Sequence, residues 1–154
     1  MKKFKGLDFI VDKLTNSIEN VITGDSFQTE ISVLSKTDLK GITKSMGWTF
    51  NWKTEFNDPV NEVYKLNIIY MHLVENAPFN RGKSKMYSGV AGNLVAFACK
   101  LSFQRGHQGN IAFISKTQLI DHYVKTLGAF HIGGRVLVIE SKAAQILIDK
   151  YFQN

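Results

Sequence analysis

The chain has 154 residues, 44% of them hydrophobic and 21% charged, with a formal net charge of +6 at pH 7. That length suits a single domain, 1–154, with a core of its own, and the ordinary composition excludes a fibrous or wholly disordered polymer. One cysteine excludes an internal disulfide, and Asp8, Asp12 and Lys13 interrupt the N-terminal stretch before it can form a signal peptide or a membrane span, so a cytoplasmic protein with no membrane association is expected.

Apolar residues at Leu7, Ile10, Val11, Leu14, Ile18 and Val21 have helical spacing, with Gly24 as a stop. FQTEISVL (27–34) alternates as a strand does. Thr37 then offers an N-cap for a short helix through Leu39 and Ile42, ended by Gly47. Trp48, Phe50 and Trp52 share one face of an extended segment, and Asn57-Asp58-Pro59 reads as a turn. VNEVYKLNIIYMHLVEN is dense in β-branched and aromatic residues and reads as strand, closed by Pro78.

After a basic, glycine-bearing loop, VAGNLVAFACKLSFQ reads as a helix, RGHQG as a turn and NIAFIS as a buried strand. KTQLIDHYVKTLG reads as a helix ending at Gly128. AFHI and RVLVIE flank Gly133-Gly134 as a hairpin, and SKAAQILIDKYF closes as a helix with Ser141 as its cap. A helical crossover between two apolar strands predicts that those strands are parallel neighbours.

The loop between Pro78 and that crossover helix raises the question of phosphate binding. Gly82-Lys83-Ser84 imitates the end of a P-loop, but the first glycine would fall at position 77, which is alanine, and the helical pattern starts near Gly89 rather than at the lysine. The nucleotide-hydrolase reading fails on spacing and context. A glycine loop that opens a crossover helix is nevertheless where α/β sheets bind phosphates. Gly89, Ala91 and Gly92 leave the backbone uncovered there, and Arg81, Lys83 and Lys85 form the one local basic concentration.

The order of these strings resembles the GNAT superfamily of N-acetyltransferases. Met86-Tyr87-Ser88-Gly89-Val90-Ala91 occupies the register of the family's cofactor loop, Q/R-x-x-G-x-G/A, and Leu94 and Val95 follow it. Tyr123 to Ala129 is similar to the family's tyrosine signature, Y-x-x-x-G with one residue more. Glu75-Asn76-Ala77-Pro78-Phe79-Asn80 and Lys116 to Tyr123 match E-x-A-P-x-N and K-x-x-L-x-x-H-Y of compact bacterial members. The likeness runs from about Ile68 to Phe152.

The resemblance implies a mixed, mostly antiparallel central sheet flanked by helices on both faces, an α+β arrangement. It implies transfer of an acetyl group from acetyl-CoA to a primary amine by direct attack in a ternary complex. The pyrophosphate would lie on the loop and helix start, with Tyr87, Ser88, Gly89, Val90, Ala91, Gly92 and Asn93 as cofactor contacts. Lys116 would join them, and Arg81, Lys83 and Lys85 would screen the phosphates. Pantetheine would run beside Leu73 and Val74, whose backbone polarises the thioester carbonyl. Tyr123 would protonate the leaving thiolate, whose free thiol has a pKa of about 8.5, and Glu75 is the candidate base for the amine. No metal is implied, and a homodimer is compatible with the resemblance.

Each residue also has a plainer reading. Tyr123 on an amphipathic helix can simply pack, Glu75 at a strand end can be a solvated carboxylate, and Lys83 and Lys85 can be wet loop residues. Cys99 among Val95, Ala96 and Phe97 reads as core, and the four histidines show no ligand spacing. Met86 stands where the family has glutamine or arginine, and the stretch between Pro59 and Pro78 is short for the family's strands. The alternative expectation is therefore a degenerate GNAT-fold protein that binds CoA or a protein partner without catalysis. The scattered basic residues argue against nucleic acid.

Overall fold

A computed structural model describes residues 16–29, 31–32, 34–35, 37–49, 68–71 and 76–152. Among them are strands β1 (Asn16–Asn20), β2 (Ser26–Thr29), β3 (Ile69–Met71), β4 (Tyr87–Ser88), β5 (Ile111–Ile114), β6 (Phe130–Gly133) and β7 (Val136–Ile139). The α-helices are α1 (Val90–Gln104), α2 (Ile120–Leu127) and α3 (Ser141–Tyr151). The fold is α+β, with the strands in two mostly antiparallel sheets. The described residues fall into two compact units, one from 16–49 and 76–89, the other from 68–71 and 90–152.

In the first unit, strand order is β2-β1-β4. Ile18 lies opposite Phe27, and Phe27 meets Tyr87 edge to face at 6.0 Å, so an apolar face forms across all three strands. Residues 16–20 are thus strand, not the helix their spacing predicts, while Leu7 to Leu14 lie outside the described residues. Ile18 and Val21 alone fit either period. Asn20 decides the local outcome, because its Oδ1 accepts from the Ile22 and Thr23 amides at 2.9 and 3.1 Å and turns the chain back. Gly24, at φ 76°, completes that turn, and Ile22 stands 86% exposed at its tip.

The short helix expected from Thr37 is a pair of 3-10 turns, Asp38–Gly41 and Lys44–Met46, and Gly47 ends the second in the left-handed conformation. Thr37 makes no side-chain cap. Instead the Ser35 amide and hydroxyl both donate to Asp38 Oδ2 at 2.7 Å, which holds the Asp38 carboxyl below its ordinary value. Trp48 is half-buried, while Phe50, Trp52, the expected Asn57-Asp58-Pro59 turn and positions 60–67 and 72–75 of the expected strand lie outside the described residues.

In the second unit the order is β3-β5-β7-β6, with β3 parallel to β5 and the other pairs antiparallel. The parallel pair carries the crossover expected from sequence, through the 15-residue helix α1. Ile111 faces Ile139 and Phe113 faces Leu137, and Ile111, Leu137 and Ile139 are wholly buried. Each such side chain contributes about 1.5–3 kcal/mol of burial. Val95, Ala96 and Cys99 of α1 and Ala144 and Leu147 of α3 complete the core.

Helices α1 and α3 run in opposite directions. Gly92 near the start of α1 meets Tyr151 at the end of α3, while Gly109, after α1, lies by Ala144 near the start of α3. Ser141 is the first residue of α3 rather than its cap; Glu140 holds the cap position. At the other end of the crossover, the Asn110 carbonyl accepts from Ser102 Oγ at 2.8 Å and from the Ile69 amide at 3.1 Å. One carbonyl thus joins the end of α1 to the beginnings of β3 and β5. Strand β6 is the outermost described strand, with Phe130 and Ile132 exposed.

Candidate functional site

Among the second unit's described residues, the candidate chemistry gathers at the carboxyl end of the parallel pair. The Ser102–Asn110–Ile69 node places the last turn of α1 beside the first residues of β3 and β5. The helix returns the chain past the sheet, so its first turn, Val90 to Asn93, lies toward the strands' carboxyl ends. A helix does not pair its own first N–H groups, and these carry its positive pole.

Tyr123 is at that same end. It projects from α2 and packs edge to face on Phe113, at 5.6 Å between ring centroids, and Phe113 is paired in register with Met71, the last residue of β3. The 3-10 turn Thr117–Leu119 starts α2, and Gly128, left-handed at φ 65°, ends it by donating its amide to the Tyr123 carbonyl. The ring is half-buried, and this burial raises the pKa of the phenol above its ordinary value. Tyr123 is therefore a neutral O–H donor at physiological pH. Lys116 is exposed at the cap position of the same 3-10 turn.

Gly92 is buried, and its lack of a side chain has a packing cause: a Cβ there would collide with the Tyr151 hydroxyl. Asn93 is buried beside it, and Val90 and Ala91 are half-buried. Cys99 is in the core, where burial pushes its thiol up to about 12, as expected of a packing residue. No cluster of three or more metal-ligating side chains occurs among the described residues.

In the first unit, Gly82-Lys83-Ser84 is an isolated 3-10 turn and starts no helix, which removes the P-loop arrangement by geometry. Lys83 and Lys85 are exposed. Arg81 is half-buried, donating from Nε to the Asn76 carbonyl at 3.0 Å and from Nη1 to the Gly47 carbonyl at 3.1 Å. It ties Asn76 and the turn that ends at Gly47 to its own loop, a bracing role not evident in the sequence. Tyr87 and Ser88 form β4, paired with Asn20 and Glu19 of β1, where a loop was expected. Gly89 follows at φ 88°, a conformation that favours glycine. Leu73, Val74 and Glu75 lie outside the described residues.

No family model, curated protein or solved structure matches the chain. Among the described residues no helix is long and apolar enough to cross a membrane.

Two residues at or beside these elements had no role in the sequence reading. Asn80 is 3% exposed and bonds the Tyr87 backbone twice. Its only signal was its place at the end of the E-x-A-P-x-N string. Tyr151 gave none, since it meets Gly92 across 59 residues of sequence.

Proposed function

We propose that the protein is an acetyl-CoA-dependent N-acetyltransferase acting on a primary amine. The observation that carries this reading is that the first turn of α1 and the neutral phenol of Tyr123 lie at one end of the β3–β5 pair. An anion such as a pyrophosphate is recognised by N–H groups at a helix start, with Gly89 admitting the chain to that turn. Direct attack of a neutral amine on the thioester carbon forms a tetrahedral intermediate. Its collapse forms the amide, breaks the C–S bond and releases a thiolate, to which Tyr123 donates its proton. The amine's excess proton passes to water or to a carboxylate, for which Glu75 is the candidate. Coenzyme A is the leaving product, and no covalent enzyme intermediate is needed.

A second reading has its own support. Tyr151 already covers the open face of Gly92, and Tyr87 and Ser88 sit in a strand ladder. These contacts favour a protein of this fold that binds CoA or a protein partner without turnover.

Calorimetric titration with acetyl-CoA separates these readings when combined with an amine-dependent thiol-release assay. The catalytic reading expects micromolar binding, a loss of at least about tenfold in Val90→Glu, and turnover that falls in Tyr123→Phe. A carboxylate in the first turn suits the helix dipole yet repels an incoming phosphate, so the helix should persist in Val90→Glu. Binding without turnover across an amine panel would leave the second reading, and failure of the wild type to bind would refute both cofactor roles.

A further inference from the structure

Among the described residues, strand β4 of the first sheet pairs with β1 on one side only. In an antiparallel ladder successive residues aim their N–H and C=O groups alternately at the partner and away from it. Met86 aims at β1, since its carbonyl accepts from the Val21 amide at 2.9 Å. Tyr87 therefore aims its N–H and C=O away from β1, to the side where no described strand pairs. Asn80 occupies that side. Its Oδ1 accepts from the Tyr87 amide at 2.7 Å, and its Nδ2 donates to the Tyr87 carbonyl at 3.1 Å. One carboxamide makes both of the bonds that a paired strand would make, and Asn80 itself is only 3% exposed.

We infer that Asn80 is a positioning residue: its paired hydrogen bonds to Tyr87 N and O hold the two-residue strand β4 in its ladder with β1 and fix the backbone as far as Gly89, the residue before α1 in the chain. The inference rests on the proposed cofactor reading for its ligand, and on the two bonds alone for the positioning. Few other side chains replace Asn80, because the task needs one acceptor and one donor side by side. Aspartate keeps the acceptor and sets a second oxygen against the Tyr87 carbonyl, while alanine removes both partners. Pro78 at the start of the 3-10 turn that ends with Asn80, together with the Arg81 bonds to Asn76 and Gly47, holds the backbone from which Asn80 projects.

The test combines amide hydrogen exchange with acetyl-CoA titration on the full chain. In Asn80→Ala, exchange at Tyr87 to Gly89 should quicken at least about tenfold while β5 and β7 stay protected, and the acetyl-CoA Kd should rise at least about tenfold. Unchanged exchange at Tyr87 to Gly89 would overturn the positioning. Faster exchange there with an unchanged Kd would overturn the link to the ligand. Wild type that does not bind acetyl-CoA overturns the cofactor reading and this link with it, and the exchange arm still decides the positioning. Should Asn80→Ala fail to fold, Asn80→Asp takes its place. It should keep the Tyr87 amide bond and lose only the carbonyl bond, with a smaller rise in Kd, and behaviour identical to wild type in both readouts would overturn the inference.

Discussion

Replacing Gly92 by alanine should destabilise the protein, although alanine is the better helix former. Gly92 is the third residue of α1, and a Cβ there would collide with the Tyr151 hydroxyl and lie 2.9 Å from ring atom Cε2. Alanine favours a helix interior over glycine by about 0.8–1 kcal/mol, whereas inserting a methyl group into an occupied space costs about 1–3 kcal/mol. The net effect is a loss of about 1 kcal/mol, or about 2–4 °C in Tm for a chain of this size. In a Tyr151→Ala background the obstruction is gone, and the same substitution should stabilise by about 1 kcal/mol. Urea unfolding of the four proteins, followed by two probes to check that the transition is cooperative, gives the coupling directly. A Gly92→Ala change that stabilises equally in both backgrounds would refute the packing account of this glycine.

Gly109→Ala should cost more than Gly24→Ala. Both glycines have positive φ, 82° and 76°, which costs an alanine about 1–2 kcal/mol, but only at 109 would the methyl also strike the Phe103 ring, adding about 1–3 kcal/mol; equal losses by thermal unfolding would contradict this. The Cys99 thiol, wholly buried and pushed up to about 12, should resist a thiol reagent at pH 8 in the native protein and react once per chain after denaturation. Rapid labelling of the native form would show that α1 does not seal it. For Tyr123, an alkaline titration of wild type against Tyr123→Phe should place its ionisation above the ordinary 10.0. Because the folded value is the higher one, the unfolded chain loses this proton first: the stability linked to Tyr123 is complete below the unfolded value and is lost as pH rises through the folded one. Tyr123→Phe should blunt that alkaline loss, and an unchanged pH profile would argue that the ring is not desolvated.

The second unit was legible because its elements announce their own ends. Gly128 stops α2, Gly133-Gly134 closes the β6–β7 hairpin, and the apolar periods of α1 and β5 are long or dense enough to allow one reading. The parallel pairing of β3 and β5 followed from the helix between them. The first unit was harder to read because its structure depends on side-chain bonds that leave no period. Ile18 and Val21 are spaced as a helix would space them, yet the Asn20 carboxamide makes a turn and the Phe27–Tyr87 contact selects a strand. Strand β4 has two residues, too few for any pattern, and its pairing is set by partners far away in sequence. Tyr123 and the start of α1 could be singled out from sequence. The Asn80 clamp and the Tyr151 cover could not, since each depends on distance in space rather than spacing in the chain.

The outer margin of β6 has a colloidal consequence. Phe130 and Ile132 are 61% and 57% exposed on the outermost described strand of the second sheet, on a chain whose formal charge is +6. At low ionic strength like charge keeps copies apart, but at physiological salt that repulsion reaches only about 8 Å, and oily margins can then touch. Added salt should therefore cloud concentrated solutions rather than clear them, and dilute buffer is the better medium for storage. Four residues make a short ladder, so the contacts would form and part quickly instead of growing into fibres.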